Sequence, residues 1–191
     1  LSWALKLKEK YPKSKILVLE KGSLPHGASI KNAGFACFGS ASEIIDDLKN
    51  HSESEIISLV NKRKEGLKNL RNLIGDKNLN YKQNGGYEIF LKKDIDLFEN
   101  CQLKMNEINK LLKPLFSSNV FEIKDNPFGF KEINDKLIFN PFEGQLDTGK
   151  MMEALIEKVK IKKIKILNNI SVTSFLENNN YVEIVTENFS Y

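Results

Sequence analysis

The spacing of apolar and polar residues predicts a chain of alternating helices and strands. Residues 1–11 carry apolar side chains at helical spacing, whereas residues 16–19 (ILVL) form one continuous apolar run. A short run of this kind indicates a strand buried on both faces, as in a parallel sheet that is covered by helices. Further helical patterns cover residues 42–50, 54–74, 94–112 and 147–159.

Short strand-like runs fill the region between residues 77 and 145. The runs at 79–83 and 87–91 flank Asn84-Gly85-Gly86, and an Asn-Gly pair between two such runs predicts a β-hairpin. Because these strands are not spaced as β-α-β units, we expect an antiparallel sheet in a separate lobe. Other predicted strands cover residues 120–123, 128–132, 136–139, 165–167, 172–176 and 181–186, the last two as a second hairpin.

The stretch from residue 15 to residue 39 is the strongest candidate for a ligand site. Glu20 follows the apolar run directly, and open α/β sheets bind ligands at the C-terminal ends of their strands. The loop after Glu20 is rich in small residues, and its glycines let the backbone approach a ligand closely. A carboxylate at a strand tip followed by such a loop is half of a dinucleotide-binding site.

The other half of such a site, the glycine fingerprint G-x-G-x-x-G, does not occur in this sequence. In a Rossmann unit the fingerprint lies about 20 residues before the acidic residue. Counting back from Glu20 by that distance reaches the first residue of the chain. We therefore expect the chain to be a fragment whose first strand lies upstream.

Composition and charge narrow the class of protein. Of the 191 residues, 41% are hydrophobic and 28% are charged, which is typical of a globular protein. The net charge of +4 comes from interspersed lysines and acids without an arginine cluster, so no nucleic-acid partner is expected. No apolar stretch reaches the ~20 residues of a membrane span. Cys37 and Cys101 form no C-x-x-C pair, so we expect no metal site and a cytoplasmic protein.

Two segments carry a resemblance to a known family. EKGSLPHGASIKNAGF (residues 20–35) resembles the FAD-dependent oxidoreductases of the D-amino-acid oxidase type, which include glycine oxidase, sarcosine oxidase and D-amino-acid dehydrogenase. EGQLDTGKMMEALIEKV (143–159), followed by KIKILNNISVTSF (163–175), is similar to a second landmark of the family, an Asp-capped helix that leads into a strand.

The resemblance implies an α/β fold in which a Rossmann-like FAD/NAD(P)-binding domain, here incomplete, carries an inserted antiparallel α+β substrate lobe. The first part of the FAD-binding domain would cover residues 1–76, the substrate-domain segment 77–145, and the second part of the FAD-binding domain 146–191. Together these segments correspond to roughly the N-terminal half of such an enzyme.

The resemblance also implies FAD as the cofactor and suggests which residues bind it. Glu20 would bind the adenosine ribose, with Lys21 over the adenine or ribose edge. Ala28 and Ser29 would approach the pyrophosphate and the ribityl chain, and Val172 would meet the adenine through its backbone. The residues beside the isoalloxazine ring would be Asn32, Ala33, Gly34 and Phe35. No catalytic residue is assigned.

His26 and Cys37 are reactive residue types in the same stretch, and each offers a possible covalent link to a flavin. A lone histidine after proline in a turn is more often a surface residue, which is how we interpret His26. We interpret Cys37 as a small buried thiol.

The activity that the resemblance implies is oxidation of a C–N bond in a small-molecule amine or amino acid, with hydride transfer to the flavin. Oxygen or an electron carrier would reoxidise the flavin. Two alternatives stay open: a C–O dehydrogenase of the same fold, acting for example on a 2-hydroxy acid, and a non-catalytic remnant that has lost its cofactor. Retention of Glu20 and of the loop from Gly27 to Phe35 argues against the remnant.

Overall fold

The computed structural model describes residues 1–187. The chain divides into two compact units, one combining Leu1–Ala33 with Asp147–Tyr191 and the other formed by Gly34–Leu146. The helices of the described chain are α1 Ser2–Lys10, α2 Ala41–Asp47, α3 Glu53–Ile74, α4 Asp76–Leu79, α5 Ile95–Leu112 and α6 Thr148–Ile161. Its strands are β1 Leu17–Leu19, β2 Phe35–Ala36, β3 Gly86–Glu88, β4 Glu122–Asp125, β5 Lys136–Asn140, β6 Gly144–Gln145, β7 Lys165–Leu167, β8 Val172–Glu177 and β9 Val182–Thr186.

A parallel strand pair forms the sheet of the first unit. β1 and β7 pair in register, ending at Leu19↔Leu167, so their C-terminal ends lie at the same edge. The helix before β7, α6, begins where the sequence predicts: the Asp147 carboxylate accepts the Lys150 N–H at 2.9 Å and caps its first turn. α6 packs against α1. The buried residues of these two helices are Ala4, Leu5, Met152, Leu155 and Val159.

The predicted hairpin at the end of the first unit is confirmed, because β8 and β9 pair antiparallel. Every residue of β8 is exposed, and Phe175 and Leu176 are 65% and 55% exposed. The last four residues of the predicted segment 146–191 lie outside the described residues.

A three-stranded antiparallel sheet, in the order β3-β5-β4, organises the second unit and confirms the antiparallel pairing predicted for the middle of the chain. Ile123 and Ile138, neighbours across β4 and β5, belong to a core that also draws on α2, α3 and α5. The buried residues of this core are Phe38, Ala41, Ile44, Ile45, Ile56, Val60, Phe90, Phe98, Cys101, Met105, Ile108, Leu112, Phe116, Val120, Phe121 and Ile138.

Serine capping boxes start two helices of this unit. Ser40 and Glu43 bond reciprocally at the start of α2, as Ser52 and Glu55 do at the start of α3. α2 therefore begins before the predicted start at residue 42, because the Ser-x-x-Glu spacing is met by Ser40.

Two predicted strands are wrong. Residues 79–83 hold the end of α4 and a single bridge at Lys82 instead of a strand paired with 87–91. Leu79 is fully buried at the end of α4, and β3 pairs with β5, about 50 residues later, rather than with its neighbour in sequence. Residues 128–132 form a turn in which the Asn126 side chain accepts the Phe128 N–H at 3.0 Å.

The predicted boundary at residue 76 falls at the start of α4, inside the second unit. Within residues 1–187, none of the helices combines the length and the apolar character needed to cross a membrane.

Candidate functional site

Glu20 lies at the C-terminal end of β1, where the strand leaves the sheet. Its N–H donates to the Leu167 carbonyl at 2.9 Å, and its own carbonyl accepts the Ile170 N–H at 3.0 Å. The half-buried carboxylate accepts the Gly22 N–H at 2.8 Å through Oε1. No residue among 1–187 donates to Oε2, so this oxygen is free to accept hydrogen bonds from hydroxyl groups.

The tight turn after Glu20 requires glycine at position 22. A Cβ on Gly22 would lie 2.7 Å from the Leu24 carbonyl oxygen and 3.3 Å from Glu20 Oε1. Because glycine has no Cβ, the backbone can fold back and bring the Gly22 N–H to the carboxylate. The turn thus fixes the orientation of the Glu20 side chain.

The small-residue loop that follows presents polar groups without protein partners. It turns at Gly27, whose carbonyl accepts the Ile30 N–H at 3.1 Å, and the Ala28 carbonyl accepts the Asn32 side-chain amide at 2.8 Å. In the described part of the chain, the N–H groups of Ala28 and Ser29 and the Ser29 hydroxyl have no hydrogen-bond partner, and both residues are exposed. Consecutive free donors of this kind suit an anionic group.

Two turns lie side by side at the same edge of the parallel pair, where Glu20 and Lys21 are found. The Asn169 N–H donates to the Gly22 carbonyl at 3.1 Å, so the turn after β7 runs beside the turn after β1. Lys21 is exposed in the turn after β1. Val172, which is 47% exposed, begins β8 three residues beyond Asn169. Glu20 and Lys21 therefore lie beside the turn after β7, and Val172 follows that turn in sequence.

The start of α6 supports the small-residue loop. The Thr148 hydroxyl donates to the Ile30 carbonyl at 3.3 Å. Asn32 and Ala33, at the end of the loop, are exposed.

Gly34 and Phe35, the last two residues of the predicted site, begin the second unit. Gly34 is buried with φ +76°, a backbone conformation that favours glycine, and its carbonyl accepts the Leu146 N–H at 2.9 Å. Phe35 pairs with Gln145 as the first residue of β2, and its ring is exposed.

The groups of the first unit fit a dinucleotide such as FAD. A carboxylate with a free oxygen at a strand tip suits ribose hydroxyl groups, and unbonded backbone N–H groups suit a pyrophosphate. Glu20 supplies the first feature, and Ala28 and Ser29 supply the second.

The two reactive residues of this stretch lie at the surface. His26 is exposed on a groove of about 490 Å³ between its loop and α6. The interpretation of Cys37 as a buried thiol is wrong, because the side chains of Ala36 and Phe38 point inward and that of the intervening Cys37 points outward. Partial burial, and then the charges of Glu143 and Glu43, raise the pKa of the Cys37 thiol. Among residues 1–187, no three His, Cys, Asp or Glu side chains are grouped to hold a metal ion.

Two half-buried carboxylates of the second unit were not singled out by the sequence. Glu143, which precedes β6, accepts the Phe38 N–H at 3.1 Å. Glu88, on β3, accepts the Ala41 N–H at 3.0 Å and the hydroxyl of Ser42. Phe38 lies 105 residues from Glu143, and Ala41 and Ser42 lie 47 and 46 residues from Glu88, so no local pattern could have revealed these contacts.

Comparison with known proteins identifies the family. The family model of FAD dependent oxidoreductases matches residues 1–190. The chain belongs to the FAD-dependent oxidoreductase family, which confirms the family, the fold class and the cofactor predicted from the sequence. A search of curated proteins finds no match.

Solved structures of similar fold include the L-amino acid deaminase from Proteus myxofaciens in complex with anthranilate (17% identity, TM-score 0.67). They also include the glycine oxidases from Geobacillus kaustophilus (13% identity, TM-score 0.64) and Bacillus cereus (20% identity, TM-score 0.61). The alignments cover 98%, 98% and 99% of this chain, and 40%, 48% and 50% of the three proteins. The chain thus spans half or less of their length, and at these identities the likeness shows the fold alone.

Proposed function

We propose that this chain is part of a flavoenzyme that oxidises the C–N bond of an amine or amino acid. The observation that carries the proposal is the Glu20 carboxylate at the tip of β1, with one oxygen free, beside the unbonded N–H groups of Ala28 and Ser29. Bound FAD would accept a hydride from the carbon that carries the amine, and the imine product would then hydrolyse.

In this proposal the first unit binds the adenosine diphosphate half of FAD. The free oxygen of Glu20 accepts ribose hydroxyl hydrogen bonds, and Lys21 covers the adenine or ribose edge. Ala28 and Ser29 donate to the pyrophosphate and ribityl region, and the backbone of Val172 contacts the adenine. Lys21, Ala28, Ser29 and Val172 are all exposed, which is compatible with direct contact to the cofactor.

The consecutive residues Asn32, Ala33, Gly34 and Phe35 are proposed to lie beside the isoalloxazine ring. Backbone N–H groups in this position would stabilise the negative charge that develops on the ring when it is reduced. The φ of +76° at Gly34 sets the direction of the backbone at this point. No side-chain base is assigned, because orienting the substrate C–H bond toward the flavin is sufficient for hydride transfer.

The names of the structural neighbours support the proposed substrate class. Glycine oxidase and L-amino acid deaminase act, as their names state, on amino acids, which favours a C–N bond over a C–O bond in this chain's full-length protein. The reoxidant is oxygen or an electron carrier.

An absorption spectrum of the purified full-length protein tests the proposal. It is recorded anaerobically before and after addition of a panel of amino acids and amines, with 2-hydroxy acids as the comparison set. We expect a flavin spectrum that is bleached by an amino acid or amine. Bleaching by 2-hydroxy acids alone would replace C–N with C–O oxidation, and a folded protein without flavin would overturn the proposal. Recovery of the spectrum on admission of air distinguishes oxygen from a dedicated electron carrier.

A further inference from the structure

The backbone of Phe38 is held on both sides by charged side chains of the second unit. Its N–H donates to the Glu143 carboxylate at 3.1 Å, and its carbonyl accepts a hydrogen bond from Arg63 Nη1 at 2.9 Å. Phe38 is buried and lies three residues after Phe35. Hydrogen bonds that involve an ionised group are stronger than neutral ones, and the 2.9 Å bond from Arg63 falls in their usual range. The Glu143 bond restrains the same residue from its N–H side.

The Glu143 side chain extends a strand pairing beyond its last backbone bond. β2 and β6 pair as far as Ala36↔Gly144, and Glu143 directly precedes β6. The acceptor for the Phe38 N–H is therefore a carboxylate in place of a strand carbonyl. The backbone carbonyl of Glu143 bonds on the other side, where it accepts the Gly85 N–H at 2.9 Å.

Glycines make room for both charged side chains. A Cβ on Gly86 would collide with Glu143 Oε2 and lie 3.3 Å from the Glu143 Cβ. Gly39 has φ +126°, and a Cβ there would lie 3.1 Å from Arg63 Nη1. The backbone is thus shaped to let Glu143 and Arg63 reach Phe38.

A half-buried carboxylate is a costly acceptor if its only role is stability. Burial raises the pKa of Glu143; the Phe38 N–H opposes this rise, and the charges of Glu88 and Glu43 add to it. Burial of a charged group contributes little net stability, because the loss of hydration offsets the bonds that it makes. Because its net contribution to stability is small, the main consequence of this bond is geometric: it holds the Phe38 backbone in place.

We infer that Glu143 and Arg63 are positioning residues for the cofactor site. By holding Phe38, they fix the downstream end of the segment 34–38, whose upstream end is held by the Leu146 N–H on the Gly34 carbonyl. Gly34 and Phe35 lie in this segment. The inference rests on the proposed function, which places both residues beside the flavin.

The test compares the full-length protein, purified with its flavin, with Glu143→Ala, Glu143→Gln and Arg63→Gln. Glu99→Gln, an exposed residue of α5, is the matched control. The readouts are amide hydrogen exchange in peptides that cover residues 34–38, the visible flavin spectrum, and kcat and KM for the amino acid that bleaches the flavin fastest. The flavin spectrum and kcat report on the cofactor site, whereas a purely structural role would change only exchange and the midpoint of unfolding.

We expect exchange in residues 34–38 to be about tenfold faster in Glu143→Ala and Arg63→Gln, as loss of a hydrogen bond to a charged group implies. The flavin spectrum should shift and kcat should fall by about tenfold, with KM within about twofold, because the reacting groups are displaced. Glu143→Gln keeps an acceptor oxygen on a side chain of the same length. In this variant we expect exchange and kcat to stay within about threefold of the unsubstituted protein.

Unchanged exchange in folded Glu143→Ala would overturn the inference, because the bond would then not hold the segment. Faster exchange with an unchanged spectrum and kcat would overturn it as well, since the segment would then not act on the cofactor. If Glu143→Ala does not fold, Arg63→Gln makes the same comparison from the other side of Phe38. A flavin-free unsubstituted protein would overturn the proposed function together with this role, and that result is obtained before any variant is made.

Discussion

At the scale of single residues, the Glu20 carboxylate offers the sharpest test of the cofactor site. Glu20→Gln leaves one carbonyl oxygen and an amide, so the side chain can no longer offer a charged acceptor to ribose hydroxyl groups. We expect the Kd for FAD to rise about tenfold or more, because hydrogen bonds to charged groups contribute about 1.5–3 kcal/mol. The measurement is the flavin-to-protein ratio of the full-length protein after dialysis, followed by titration of the apoprotein with FAD.

The control for this change is Glu177→Gln, which alters an exposed carboxylate at the end of β8 in the same unit. It should leave flavin content unchanged. Equal flavin content in the Glu20 and Glu177 variants would contradict the assignment of Glu20.

A second prediction concerns Glu143 and pH. Burial raises its pKa above the ordinary 4.5, so over a range that starts near this value the folded chain keeps a proton that the unfolded chain releases. Its contribution to the free energy of unfolding is therefore most favourable below the unfolded pKa and is lost as pH rises through the folded pKa. Glu143→Gln cannot ionise, so its stability relative to the unsubstituted protein should increase as pH rises above the ordinary value of 4.5.

Urea unfolding at several pH values measures this difference. Glu88 and Glu43 contribute to the raised pKa of Glu143. The informative quantity is therefore the difference in the free energy of unfolding between Glu143→Gln and the unsubstituted protein at each pH. A difference that is constant with pH would contradict the prediction.

The candidate site shows how far single residues can be identified from sequence. Glu20 and the loop to Phe35 form one continuous stretch, so their residue types and order are sufficient to indicate a ligand site. Glu143 reaches Phe38 across 105 positions, and only the folded chain brings the two together.

At the scale of elements, two glycines distinguish the effect of helix propensity on stability from the effect of close packing. Gly66 is exposed within α3 and a Cβ there would meet no atom within 4 Å, whereas a Cβ on Gly144 would collide with the Lys82 carbonyl oxygen. We expect Gly66→Ala to stabilise the protein by about 0.5–1 kcal/mol, since alanine favours the helix. Gly144→Ala should destabilise it by about 1–3 kcal/mol, because the backbone of a packed strand pair must shift.

Denaturant unfolding of the two variants side by side measures both effects. Both variants add the same methyl group, so opposite changes in the free energy of unfolding must come from the different surroundings of the two glycines. Destabilisation by both changes, or by neither, would contradict the contacts described for β6.

The same contrast between local and distant contacts explains which elements were predicted correctly. α3 and α6 have local start or stop signals, Gly75 after the first helix and Asp147 before the second, and both were predicted closely. The Asn84-Gly85-Gly86 turn gave a false hairpin, because β3 pairs with the distant β5 instead of the segment before the turn.

At the scale of the whole molecule, the two units differ in how they bury their elements. α5 of the second unit buries six residues, among them Ile108 and Leu112, which are fully inaccessible. In the first unit, β8 is exposed at every position and pairs only with β9 within the described chain. Two-stranded hairpins without a covered face have marginal stability in water.

We therefore expect amide hydrogen exchange in the 191-residue chain to be slowest in α5 and β5 and faster in β8 and β9 by about 100-fold or more. Peptides from residues 95–112 and 136–140 serve as internal references for those from residues 172–186, because all are measured in one sample. The backbone bonds of β8 can open without exposing a buried side chain, whereas opening α5 exposes Phe98, Met105 and Ile108. Equal protection in all of these peptides would contradict the prediction and would mean that the hairpin unfolds only with the unit as a whole.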